Sequence, residues 1–133
     1  MATLQAVTAS SGATVTDPDA VEQLCEAYCF GGLKWRLTDD GEFSVWGYEA
    51  FRVYAQADDG TMDLDANEVT REFLWKLAEY IEEDAELDIQ SAGFTKCRYP
   101  VHACRYVIRN GAVLHADLGG LEALERGAGP QSP

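Results

Sequence analysis

Residues 103–117 read ACRYVIRNGAVLHAD and place Asn110-Gly111 between two apolar runs. An Asn-Gly pair in this setting is the strongest short-range signal for a two-residue β-hairpin turn, because both turn residues must adopt positive φ. A turn of two residues sets Ile108 opposite Val113. We therefore predict a hairpin over about 103–117 and, around it, an antiparallel sheet.

A helix is predicted upstream of this hairpin, from about Glu68 to Glu83. Its apolar residues recur every three to four positions on one side, and its charged residues occupy the opposite side. Asp65 or Asn67 is expected to cap its first turn. The apolar positions are Val69, Phe73, Leu74, Leu77, Tyr80 and Ile81, and the charged positions are Glu68, Glu72, Lys76, Glu79 and Glu83.

A first helix is predicted from about Pro18 to Cys29, with Asp17 as its cap and proline in its first turn. After it the apolar period changes to two. This alternation from Leu33 to Leu37 is typical of a half-buried strand. The aromatic segment 43–55 is predicted as a long strand that bends or bulges near Gly47.

These elements predict an α+β fold, with a mainly antiparallel sheet of about five strands and two helices packed on one face. The length of 133 residues and the hydrophobic content of 47% suit a single domain with one core. We expect this domain to span 17–118. Residues 1–16 are predicted as a flexible lead-in or an edge strand, and residues 119–133 as a mobile C-terminal tail.

Charge and hydropathy narrow the possible functions. The first residues lack a basic segment followed by an apolar run, and no apolar run is long enough to cross a bilayer, so we expect a cytoplasmic protein. The formal charge of −13 should repel nucleic acid and anionic membranes, so neither is expected as a direct partner.

The four cysteines raise the question of metal binding or thiol chemistry. A zinc site would draw its ligands from Cys25, Cys29, Cys97, His102 and Cys104. The first pair, however, lies within a predicted helix, unlike the tight loops of structural zinc sites. Buried free thiols are the favoured interpretation.

An enzyme is the least favoured reading of the sequence. Cys97 lies between Lys96 and Arg98, which could lower its thiol pKa. With His102 or His115 as base it makes the best enzymatic case, and Cys104 is the alternative thiol. In a strand, however, these neighbours point to the other face. We predict no catalytic residue, no metal and no cofactor, because the glycine pairs match no phosphate-binding motif and the aspartates of 58–65 no EF-hand loop.

The most unusual feature is the clustering of acids between Asp58 and Asp88. This segment contains twelve acidic residues and only two basic ones, Arg71 and Lys76, which gives a local net charge of −10. We predict that this region binds a basic protein surface. The predicted partner-binding residues are Asp58, Asp59, Asp63, Asp65, Glu68, Glu72, Glu79, Glu82, Glu83, Asp84 and Glu86.

In charge and size alone, with no shared motif, the chain resembles the DNA-mimic inhibitors of phages, including some anti-CRISPR proteins. This resemblance implies a non-catalytic protein that engages a nucleic-acid-binding partner by presenting carboxylates in place of phosphates. An alternative is salt adaptation, since few lysines and many acids also suit a halophilic cytosolic protein. Pairing through an exposed sheet edge would give a homodimer.

Overall fold

A computed structural model of the chain describes residues 5–55, 66–94, 100–117 and 120–123. The predicted α+β class is confirmed, with two helices and a mostly antiparallel sheet, although the described residues form ten strands rather than about five. In chain order the elements are β1 (Gln5–Ser10), β2 (Ala13–Thr14), α1 (Pro18–Glu26), β3 (Tyr28–Cys29), β4 (Lys34–Leu37), β5 (Glu42–Gly47), β6 (Tyr54–Ala55), α2 (Ala66–Ala78), β7 (Glu86–Phe94), β8 (Pro100–Arg109), β9 (Ala112–Asp117) and β10 (Gly120–Ala123).

The predicted hairpin is formed by β8 and β9. Asn110 and Gly111 have φ values of 51° and 74°, the positive pair that a two-residue turn of this kind requires. Ile108 lies opposite Val113 as predicted. Both side chains are buried, so the turn also sets which positions of the hairpin face the core.

Within the opening segment, residues 5–10 do not form an edge strand. β1 lies inside the main sheet, between β5 and β7, in the order β10-β9-β8-β7-β1-β5-β2, with β4 on the other side of β5. Thr8 is 1% exposed, and its hydroxyl donates to the Glu49 carbonyl oxygen at 2.6 Å. A buried hydroxyl with a partner is tolerated in the core, so this polar segment can occupy the middle of a sheet.

The C-terminal prediction also needs correction, because residues 120–123 form β10 and pair with β9. Residues 124–133 of the predicted tail lie outside the described residues.

Both helices are shorter than predicted. In α1, Asp17 accepts a hydrogen bond from the Ala20 amide as the predicted cap, but the helix ends at Glu26 and Tyr28–Cys29 pairs with β6 instead. The helix α2 ends at Ala78, and Ile81 beyond it forms a bridge with Val15. In each case a tertiary backbone partner replaces the last helical turn.

The predicted long strand over 43–55 is interrupted at Gly47. A Cβ atom there would lie 3.0 Å from the Leu33 Cα atom and 3.1 Å from the Gly32 carbonyl oxygen, so only glycine fits without displacement. The chain then leaves the strand. Residues 48–53 form a loop that buries Phe51 and Val53 in the core.

The two faces of the main sheet differ sharply. One face packs against α1, α2 and the 48–53 loop to form the core. The side chains at alternating strand positions point the other way, and we call this second surface the open face. Fully buried core residues include Val21, Phe43, Val45, Val53, Phe73, Leu74, Leu77, Leu87, Ile89, Ile108 and Val113.

Candidate protein-binding surface

The structure describes seven of the eleven residues that the sequence singles out for partner binding. Asp58, Asp59, Asp63 and Asp65 lie outside the described residues. Glu68 and Glu72 belong to α2, Glu79 follows it, Glu82, Glu83 and Asp84 lie in the connection to β7, and Glu86 begins β7.

The helices bring a second group of acids to the same layer of the molecule. The helix α1 packs against α2, and it exposes Asp19, Glu22 and Glu26 while burying Val21 and Cys25. We call the carboxylates of α1 and of residues 66–84 the acidic layer. Its members are Asp19, Glu22, Glu26, Glu68, Glu72, Glu79, Glu82, Glu83 and Asp84.

The acidic layer holds most of the charge excess of the described residues. Its nine carboxylates are accompanied only by Arg71 and Lys76, so these 28 residues carry a net charge of −7. The other 74 described residues carry nine acids and five bases, a net charge of −4. Acidity is therefore concentrated on the helical side of the sheet.

One member of the layer is held in place by a hydrogen-bond network. The hydroxyl of Tyr28 donates to Glu72 Oε1 at 2.6 Å, and Lys76 Nζ lies 3.0 Å from the same oxygen. Lys76 also donates to the Tyr28 hydroxyl at 3.1 Å. These bonds, that of Tyr28 first, hold the pKa of Glu72 below its ordinary value. Glu72 therefore also ties α2 to β3, and Lys76 offsets part of its charge.

The acids of β7 do not belong to this layer, although the sequence groups them with it. Glu86 lies on the open face, 3.7 Å from Arg109, which is its partner in the β7–β8 register. Asp88 is also on that face, where Arg105 Nη2 and Nε donate to its two carboxylate oxygens at 2.6 and 2.9 Å. These bonds lower the pKa of Asp88. Strand alternation therefore sends both carboxylates away from the helices.

The open face has almost no net charge in a strongly acidic chain. Its described bases are Lys34, Arg36, Arg105 and Arg109, and its described acids are Glu42, Glu86 and Asp88, which leaves a net charge of +1. Lys34 and Arg36 lie on β4, far across the sheet from the paired arginines of β8, and make no ion pair with any described residue.

Apolar side chains are exposed on this same face. Val7 and Trp46 are each 41% exposed. Beside Val7 a depression of about 480 Å³ runs across β1, β7, β8 and β9. Small side chains line much of it, including Ala9, Ala92 and Ala103. These side chains end at the methyl group and so leave the space of the depression unfilled.

The thiols are described for three of the four cysteines. Cys25 is buried in α1, and burial raises its pKa to about 12. Burial also raises the pKa of Cys104 in β8. Neither thiol has the lowered pKa that a cysteine nucleophile needs. Cys97 and the side chain of His102 lie outside the described residues, and within the described ones no three Cys, His, Asp or Glu side chains are grouped to hold a metal ion.

The α1 acids are the part of the surface that the sequence prediction left out. Glu22 and Glu26 lie within the helix that was predicted from about Pro18 to Cys29, and both helices were expected on one face of the sheet. Together these two expectations contain the signal for a joint acidic layer, because neighbouring helices on one face expose their outer stripes side by side.

Comparison of the chain with protein-family models, with curated proteins and with solved structures finds no match. In the part of the chain that the structure describes, neither helix has the length and apolar character needed to cross a membrane. Function must therefore be argued from the surface itself.

Proposed function

We propose that the chain is a non-catalytic binding protein whose acidic layer engages a basic surface on a nucleic-acid-binding partner, acting as a mimic of DNA. The observation that supports this proposal most directly is the uneven charge. The 28 residues of α1 and 66–84, which carry the acidic layer, have a net charge of −7, while the other 74 described residues have a net charge of −4.

Mimicry of DNA requires a density of negative charge close to that of a phosphate strand, and the two helices together supply more carboxylates than α2 alone. The helix α2 has 13 residues and is therefore about 20 Å long, a length over which one DNA strand presents roughly six phosphates. Glu68 and Glu72 alone are too sparse for that. The three carboxylates of α1 and the acidic connection after α2 bring the layer to nine, which is the scale of one phosphate strand.

Binding of this kind is driven by charge, and it predicts a salt dependence. A basic protein surface attracted to the layer should associate fast at low ionic strength and weaken as salt is added, since screening acts over about 10 Å at 0.1 M salt. The partner should also be displaced by duplex DNA, because both ligands would occupy the same basic groove.

The proposal is tested with matched double charge reversals. Glu68→Lys with Glu83→Lys changes the acidic layer, whereas Asp39→Lys with Asp40→Lys makes the same charge change in the exposed turn between β4 and β5. Each protein is immobilised and exposed to an extract of its source cells, and bound proteins are eluted with duplex DNA or with an uncharged polymer.

Wild type and the Asp39/Asp40 variant should retain basic proteins that duplex DNA releases and the polymer does not. The Glu68/Glu83 variant should lose them while keeping its far-ultraviolet circular dichroism. Equal retention by both variants, or no DNA-releasable protein on wild type, would contradict the proposal.

Salt adaptation is separated from partner binding by the stability of the wild-type chain. If acidity is an adaptation to brine, the domain should unfold or weaken strongly at low salt and recover in molar potassium chloride. Under the proposal it is well folded at low salt, and the circular dichroism melting curve distinguishes the two.

A further inference from the structure

We infer that the open face is the interface of a symmetric homodimer, in which the exposed side of one sheet packs against that of a second copy. This inference does not depend on the proposed function, because it concerns the opposite side of the sheet. It rests on the exposed apolar side chains, on where the charges lie and on the area available.

The exposed apolar residues give the driving force. Val7 and Trp46, each 41% exposed, share the open face with alanines that leave the depression of about 480 Å³. A large aromatic residue beside a shallow pocket is the usual centre of a protein interface, since it loses most of its contact with water on association. The paired polar groups Asp88–Arg105 and Glu86–Arg109 can form a polar rim.

Charge favours the open face over the acidic layer as the contact between two copies. Two chains of −13 each repel one another, and contact through the acidic layers would be the least favourable arrangement. Contact through the open faces sets together two surfaces of about +1 and leaves both acidic layers on the outside. Lys34 and Arg36, which have no described ion-pair partner, then become available to carboxylates of the other copy.

The area is enough for a weak dimer. The face spans β4, β5, β1, β7, β8 and β9, so at about 4.8 Å per strand and about 3.4 Å per residue over six residues it measures roughly 29 by 20 Å. Burial on both copies would then total about 1,200 Å², the lower limit of stable protein interfaces. We expect dissociation constants in the micromolar range.

The dimer should respond to salt in the opposite sense to the binding of a basic partner. Screening reduces the repulsion between two copies but does not weaken apolar contact, so association should strengthen from low salt to molar potassium chloride. Loss of one salt response without the other would therefore show which of the two proposals fails.

The test is sedimentation equilibrium of the full chain from low micromolar to near-millimolar concentration, at low salt and in molar potassium chloride. Trp46→Lys places a charge within the proposed interface, on β5. Gln23→Lys, on the exposed side of α1, changes the net charge equally on the opposite side of the sheet. Val7→Lys is a second interface variant, and urea unfolding confirms that each variant is folded.

Wild type and Gln23→Lys should dimerise reversibly, more tightly in high salt. Trp46→Lys and Val7→Lys should weaken association at least about tenfold, since each dimer buries every interface residue twice. A wild type that stays monomeric over the whole range in molar potassium chloride overturns the inference, as does a dimer that both interface variants leave unchanged.

Discussion

Replacing Ser91 by alanine should destabilise the domain through a single buried hydroxyl. Ser91 is 4% exposed and lies on β7 facing the core. Its Oγ accepts a hydrogen bond from the Phe51 amide at 3.0 Å and lies 3.1 Å from Thr8 Oγ1. It therefore connects β7, β1 and the 48–53 loop, three segments that are far apart in sequence.

The loss of stability in Ser91→Ala follows from the hydrogen bonds that the neighbouring groups keep or lose. Thr8 retains its 2.6 Å hydrogen bond to the Glu49 carbonyl oxygen. The Phe51 amide, however, loses its Ser91 acceptor, and Phe51 is only 4% exposed, so water cannot readily replace it. A buried donor left unsatisfied costs about 1–3 kcal/mol. We expect Ser91→Ala to lower the free energy of unfolding by about 2 kcal/mol, which lowers the melting temperature by about 8 °C in a domain of this size.

Urea denaturation followed by tryptophan fluorescence measures this change, with Ser44→Ala as the control. Ser44 is a half-buried serine on the open face, and its hydroxyl makes no hydrogen bond to any described residue. The control should stay within about 0.5 kcal/mol of wild type. If Ser91→Ala is no more costly than Ser44→Ala, the hydroxyl does not support the loop and the reasoning fails.

Two further predictions concern the helical side and the hairpin. Tyr28→Phe removes the hydroxyl that donates to Glu72, so nuclear magnetic resonance titration should show the Glu72 pKa rising towards its ordinary value. A depressed carboxylate pKa stabilises the fold above the unfolded-state pKa, and that stabilisation is lost as pH falls through the folded pKa, so the variant should have a lower free energy of unfolding than wild type at neutral pH and the difference should narrow in acid. A difference that is constant with pH would contradict this. Gly111→Ala should lower the free energy of unfolding by about 1–2 kcal/mol, measured by thermal unfolding, because Gly111 has φ of 74°. No atom lies within 4 Å of the added Cβ, so the cost is conformational alone. As the control, Asn110→Gly should be nearly neutral, and equal effects of the two substitutions would refute that explanation.

Much of the candidate surface could be predicted from sequence, because it lies on helices. The outer stripe that includes Glu68 and Glu72 follows from the 3.6-residue period, and the structure places both on the exposed side of α2. Glu86 shows the limit of that approach. It follows Asp84 by two residues, yet it lies on the other side of the sheet, because the side of a strand residue depends on the pairing register.

The sequence by itself determined the features that depend on neighbouring residues. The Asn110-Gly111 turn needs only two residues that tolerate positive φ, and the start of α1 needs only the Asp17 side chain beside the Ala20 amide. Such interactions are complete within a few residues, so their signals are readable without a fold.

Only the tertiary structure decided where β1 lies and which surface each strand residue faces. Thr8 and Ser91 are 83 positions apart, and no local pattern marks a small polar segment as the centre of a sheet. Its place is set by backbone partners on both sides and by a buried hydroxyl network. Those partners come from distant segments, and their free energy is gained only when the whole chain has assembled around them.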